Sequence, residues 1–388
     1  MKLKRFIALA TATAMSLSMI GCSNTQTTKG SNSDKIVLGT MGPLTGENAI
    51  YGITTSNGIK LAIEERQTVL DKPVELLLVD DKSDQTEAVN AYNKFVNNDN
   101  VTAVIGAVTS SAALSVGIVS SKYGTPVLTP TGTVPEITTS GENVFRACYT
   151  DSFQGEIMAK FAFENLGMKK VAVMQNIDSS YSEGISKSFI EKFQELGGEI
   201  VASEGYKQAD TDFKAQLTKI ASSNPEALFI PDYYTKVYLI TNQIKDTALK
   251  DITLLGCEGW DGMHTIFEEN KDNNADTSVV DNAYFGSHFS LEDQDPVVQN
   301  FVNNYKAKYG ENPTSFAALG YDATNIMLNA IETAGSTDSK AIVEAIKNTD
   351  YQGVTGNIKF DENGDPIKSV SILRIENGES KLFEKIEG

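Results

Sequence analysis

From residue 35 onward the chain alternates short, nearly continuous apolar runs with longer stretches in which apolar residues recur every three or four positions. IVLGTMG (36–42), VELLLVDD (74–81), VTAVIGA (101–107) and PVLTP (126–130) form the first set of runs. Unbroken apolar runs of this length predict strands covered on both faces. Between them, NGIKLAIEE (57–65), AVNAYNKFVNN (88–98) and SSAALSVGIVSSKYG (110–124) carry helical spacing, the last stopping at Gly124. Near Asp151 the cycle restarts. KVAVMQN (170–176), EIVASEGY (199–206), EALFIPD (226–232) and ITLLGCE (252–258) read as strands. SEGISKSFIEKFQELGG (182–198), DFKAQLTKIASS (212–223) and TKVYLITNQIKD (235–246) read as the helices that join them. Two such runs predict an α/β chain with two doubly wound, parallel-sheet lobes.

The last third breaks the alternation. Residues 296–310, 315–335 and 339–348 predict three helices, and 356–379 predict short antiparallel strands turning at Asn363-Gly364 and Asn377-Gly378. The helices read as a return to the first lobe and the strands as an addition to the second. The expected division is therefore 35–151 with 283–355 for the N-terminal lobe, and 152–282 with 356–388 for the C-terminal lobe. More than one chain crossing between lobes makes a multi-strand hinge.

Ahead of this lies a different pattern. Lys2, Lys4 and Arg5 precede an apolar run from Phe6 to Ile20, then Gly21, Cys22 and the polar stretch SNTQTTKGSNSD. A basic start, a short apolar core and a small residue describe a secretory signal over 1–21. The run is diluted with hydroxyls and falls short of the roughly 20 apolar residues of a membrane-spanning helix. A cysteine at the first mature position resembles the bacterial lipoprotein signal, in which that thiol carries the lipid; Met19 stands where that signal usually has Leu. The resemblance implies an exported chain anchored through Cys22, with 22–34 as a flexible tether.

Removing the signal leaves 367 of 388 residues, enough for two lobes of ordinary size. Losing Lys2, Lys4 and Arg5 takes the formal charge from −18 to −21. So acidic a surface, without a basic cluster, argues against a nucleic-acid partner. Cys148 and Cys257 are far apart in sequence and read as two small buried hydrophobes more readily than as a disulfide. The two histidines, His264 and His288, lack zinc-ligand spacing. There is no G-x-S-x-G elbow, no phosphate loop and no histidine near a candidate nucleophile, so an enzyme is not expected.

Taken in order, GPLTGENAIYG (42–52), VDDKSD (79–84), IGAVTSS (105–111), LTPTGTVPEIT (128–138), YSEG (181–184), LGCEGW (255–260), SFAALGYDA (315–323) and GNIKFDENGD (356–365) resemble the type I periplasmic-binding-protein fold. The branch they resemble binds leucine, isoleucine and valine for an ATP-driven importer. The resemblance implies a monomer without cofactor or metal, two lobes closing on one amino acid, and delivery to ABC transporter permease subunits in the membrane. The same fold also serves aromatic amino acids, amides and urea, and ligand sensors.

The resemblance also assigns a site. An amino acid is a zwitterion, and an unpaired buried charge costs several kcal/mol. Ser110 and Ser111, in the turn begun by Thr109, match the carboxylate site, where a helix start adds favourable partial charge. Thr131, Gly132 and Thr133 match a second polar loop. Glu258, ending the strand ITLLGCE, matches the ammonium partner, with Tyr233 or Tyr234 adding a contact. Tyr51 and Tyr181 match walls of the side-chain pocket, Trp260 stands two residues after Glu258, and Tyr321 matches an aromatic on the hinge side. Asp80 and Asp81 are expected to be structural rather than catalytic. The Cys pair of some relatives is replaced by Ser83 and Thr109.

Overall fold

A computed structural model describes residues 34–270 and 276–386. The expected signal and Cys22 lie outside the described residues.

The first half runs β1 (Ile36–Gly42), α1 (Ala49–Glu65), β2 (Thr68–Val69), β3 (Lys72–Asp80), α2 (Gln85–Asn97), β4 (Ala103–Ile105), α3 (Ser110–Ser120), β5 (Val127–Thr129), α4 (Glu136–Thr139) and β6 (Val144–Arg146). Among the described residues these strands form one sheet in the order β2-β3-β1-β4-β5-β6, parallel except for the β2–β3 pair. The second half runs α5 (Asp151–Lys160), β7 (Lys170–Asn176), α6 (Ser180–Glu195), β8 (Glu199–Tyr206), α7 (Lys214–Ser222), β9 (Ala227–Phe229), α8 (Tyr234–Ile244), β10 (Thr253–Gly256), α9 (Met263–Glu269) and β11 (Tyr284–Ser287). Then follow α10 (Pro296–Tyr309), α11 (Ser315–Ala334), α12 (Ser339–Lys347), β12 (Tyr351–Gly353), β13 (Gly356–Ile358), β14 (Val370–Glu376) and β15 (Glu379–Ile386). The second sheet is ordered β15-β14-β11-β10-β9-β7-β8, with β14 and β15 added antiparallel at one edge. Asn377 and Gly378 both take positive φ in the turn between those strands, as a type I′ hairpin requires.

The lobe boundaries fall differently from the expectation at 283 and 356. Tyr284–Ser287 pairs with β10 and β14, so it belongs to the second sheet. The chain returns to the first lobe only at α10, whose Val298, Phe301 and Tyr305 pack with Leu61 and Ala317. Ile358 is buried with Leu38 and Phe145, and Gly364 accepts the Arg146 N–H, so residues 356–364 stay with the first lobe. Sequence pattern cannot see this, because a strand's partner is set by tertiary pairing rather than by its own residues. Buried Lys368 ties two of the crossings, donating to the Ala147 carbonyl at 2.9 Å and to the Thr355 hydroxyl.

Helices α1 and α11 cross in backbone contact. A Cβ on Gly58 would lie 1.9 Å from the Ala317 carbonyl, and one on Gly320 would lie 2.4 Å from that of Thr55. This crossing brings the start of each helix, with Tyr51 and Phe316, to the gap between the lobes.

Candidate ligand-binding site

Strand β4 ends in the loop that starts α3, a helix with no acidic residue in its first turn and no side-chain bond at its Thr109 N-cap. The partial positive charge of its N-terminus is thus left for another anion. The Ser110 hydroxyl accepts the Thr133 N–H at 3.2 Å and lies 3.2 Å from the Thr133 hydroxyl. Thr131 donates to the Val108 carbonyl at 2.6 Å, and the Gly132 N–H donates to the Thr129 hydroxyl at 3.0 Å. The two expected polar loops therefore form one patch of hydroxyls and backbone amides. Buried Thr109 Oγ1 has no hydrogen-bond partner within it. Ser111 faces the other lobe, 3.4 Å from the Ser180 hydroxyl.

Across the gap, Glu258 opens the short helical turn Glu258–Trp260 that follows β10. It is 3% exposed and its Oε2 has no hydrogen-bond partner. Burial, with the neighbouring charge of Asp151, pushes its carboxyl up to about 8. Asp151, in the first turn of α5, is 1% exposed and also holds an oxygen without a partner, Oδ2. Burial pushes it up to about 7, against the pull of the Thr133 hydroxyl and Arg146. Gln154 lies between them. Its amide nitrogen is 3.5 Å from Asp151 Oδ1, and its oxygen accepts the Glu258 N–H at 3.5 Å. Sequence reading missed Asp151 and Gln154, because an acid at a helix start reads as ordinary N-terminal capping.

Aromatic rings close the space between these patches. Tyr51 stacks on Phe316 at 4.1 Å and meets Tyr234 and Tyr233 edge-on at 4.9 and 5.4 Å. Its hydroxyl donates to the Gly259 carbonyl and accepts the Tyr234 N–H at 3.1 Å, so it bridges the lobes. Tyr181 stacks on Tyr233 at 4.7 Å, and its hydroxyl accepts the Gly259 N–H at 3.0 Å. A Cβ on Gly259 would stand 2.7 Å from that hydroxyl, which is why the turn needs a glycine there.

Two expected residues stand apart. Trp260 points into the core of the second lobe: its indole donates to the Ile230 carbonyl at 2.8 Å, and its ring lies over Gly256 and stacks on Phe285. Tyr321 packs on Phe301 at 5.0 Å and donates to Glu65. Five residues along a helix is about 140° of rotation, so Tyr321 and Phe316 present different faces, and Phe316 takes the place at the gap. Which aromatic faced inward was not readable without the close α1–α11 crossing. Tyr233 and Tyr234 both contact Tyr51, so the choice between them disappears.

Asp80 accepts the Leu44 and Lys82 N–H groups and the Thr45 hydroxyl, bracing the loop after β1, and Asp81 accepts the Ser83 N–H. Cys148 and Cys257 are free and buried. Among the described residues no group of three or more His, Cys, Asp or Glu is placed to hold a metal ion.

Residues 35–380 match the family model of periplasmic binding proteins. The chain is 30% identical over 339 residues to a leucine-, isoleucine-, valine-, threonine- and alanine-binding protein of Pseudomonas aeruginosa, covering 86% of this chain and 87% of that one. Among solved structures it is similar to a leucine-binding protein from Thermotoga maritima, with 37% identity, a TM-score of 0.85, and 91% and 99% of the two chains covered. It is similar also to a branched-chain amino acid transporter substrate-binding protein from Streptococcus pneumoniae in complex with isoleucine. There the identity is 32% and the TM-score 0.84, with 91% and 100% of the chains covered.

Proposed function

The chain belongs to the periplasmic-binding-protein family, and on that premise we propose that it captures leucine, isoleucine or valine between its lobes and delivers it to an ABC importer. One observation carries the reading: a helix N-terminus dressed with Ser110 and Thr133 in one lobe faces a buried carboxylate with a free oxygen, Glu258, in the other. An α-carboxylate suits the first and an α-ammonium the second, and only the closed molecule offers both. Tyr51, Tyr181, Tyr233 and Phe316 then enclose an apolar side chain. Burying a CH₂ is worth about 0.8 kcal/mol, so such walls separate the three branched amino acids only modestly.

In this reading the chain is exported, anchored by lipid at Cys22, works as a monomer, and meets permease subunits at the outer face of the membrane. Among the described residues no helix is long and apolar enough to cross a membrane. A calorimetric or thermal-shift screen of the twenty amino acids, urea and benzoate tests the ligand assignment. Stabilisation by leucine, isoleucine and valine is expected; stabilisation by urea or benzoate with none by the branched amino acids overturns it.

A further inference from the structure

Two carboxyl groups stand at the closed gap, yet a single amino acid brings one ammonium. Asp151 and Glu258 are both almost fully buried, each keeps one oxygen without a hydrogen-bond partner, and Gln154 spans them. The cation acting on Asp151 is Arg146, and its guanidinium is committed elsewhere. It pairs with Asp365, donates to the Gly132 and Pro135 carbonyls at 3.1 and 3.0 Å, and lies 3.2 Å from the Thr138 hydroxyl. Glu136 adds a further negative charge near Asp151. The hydroxyls and thiols that sense Glu258 belong to Tyr149, Tyr181, Tyr233, Cys148 and Cys257. All are held above their ordinary range by burial, so they stay neutral and add no charge to the site. Like charges this close and this dry do not ionise together.

We propose that the empty site holds a proton on the Asp151–Glu258 pair and exchanges it for the ligand ammonium. This rests on the amino-acid reading above and adds how the vacant site avoids a second buried negative charge. The exchange balances simply: one carboxylic O–H of the pair breaks, the carboxylate forms an ion pair with the incoming ammonium, and the proton passes to bulk buffer. A route out exists, because Asp151 lines an interlobe cleft of about 640 Å³ bounded by α6, with Ser180 and Gly184 on the far wall. The pair titrates as a unit, so the exchanged proton belongs to both residues. Both carboxyls rise through burial, Asp151 to about 7 and Glu258 to about 8, so the exchange operates through the neutral range and fades above it.

Leucine titrated calorimetrically into the intact protein at pH 7, in phosphate and in Tris, gives the test. Apparent enthalpy should differ between buffers by the difference of their ionisation heats for about one proton released, and affinity should rise with pH by up to about tenfold per unit between 6 and 8. Asp151→Asn, which removes the repulsion but keeps the shape, should cut the released fraction at least by half. Leucine binding with equal heats in both buffers overturns the exchange while leaving the amino-acid reading intact. Undiminished release from Asp151→Asn overturns the role of the pair. No binding of leucine, isoleucine or valine in either buffer overturns the amino-acid reading and the exchange together.

Discussion

The two halves of the proposed grip neutralise charge by different means. On the first lobe the groups are dipoles: the start of α3, the Ser110 and Thr133 hydroxyls and the amides between them. They partly satisfy one another when nothing is bound, so the vacant patch is nearly free of penalty. On the second side the groups are formal acids, Asp151 and Glu258, each with an unpartnered oxygen. A buried ion without a counterion is strongly destabilising, whereas an idle dipole is not. The dipolar half can therefore be preformed, while the acidic half is waiting for a positive charge. Losing a residue should accordingly matter more to binding on the acidic side than on the dipolar side.

Glu258→Ala is the most severe way to break this asymmetry. It should weaken leucine binding by about 2–5 kcal/mol, as expected when one partner of a buried pair is removed; an unchanged dissociation constant by calorimetry would discard Glu258 as the ammonium partner. The empty protein sharpens the point from the other direction. A carboxyl raised by burial contributes stability below the ordinary carboxylate range, and that contribution is lost as pH climbs through its folded value. For Asp151 and Glu258 those values are about 7 and about 8. Ligand-free wild type should thus lose thermal stability between pH 5 and 9, and Glu258→Gln should flatten that loss. A variant melting curve with the same pH slope as wild type would show that Glu258 is not the buried acid responsible.

Ser110→Ala probes the dipolar half. The Thr133 N–H would lose its acceptor and a bound carboxylate would lose one donor, a change of about 1.5–3 kcal/mol for a hydrogen bond to a charged group. A loss matching that of Glu258→Ala would erase the proposed difference between halves. The variant should keep the pH slope of stability of the wild type, since no ionisable group is touched.

How far each half could be read in the sequence follows the same division. The dipolar loops are local: TSS before a helix and TGT after a strand are short motifs on which the family resemblance could rest its assignment of Thr109 to Ser111 and Thr131 to Thr133. Glu258 was assigned by the same resemblance, with the strand that leads directly into it fixing its place. Asp151 and Gln154 were not, since their meeting with Glu258 joins residues about a hundred positions apart. The same holds for the fold. Both parallel runs were visible in their alternation, but the allegiance of Tyr284–Ser287 to the second sheet rests on pairing with Val370–Glu376, which no local pattern encodes. Trp260 misled because it stands two residues after Glu258; a short helical turn sends nearby side chains in different directions, here one to the gap and one to the core.

The smallest expected effects lie between the halves, where hydroxyls rather than charges hold the lobes together. Tyr51→Phe keeps the ring on Phe316 but removes the donor to the Gly259 carbonyl and the acceptor for the Tyr234 N–H. Those bonds join opposite lobes, so their loss falls on the closed form and should lower leucine affinity by about 0.5–1.5 kcal/mol, chiefly through faster release. Tyr321→Phe removes a half-buried hydroxyl that bonds Glu65 within one lobe. That bond exists whether the lobes are open or closed, so affinity should not move, while stability drops slightly. Equal effects of the two variants on the dissociation rate, read by stopped-flow fluorescence, would mean that Tyr51 serves only packing and that the lobes are held by the ligand alone.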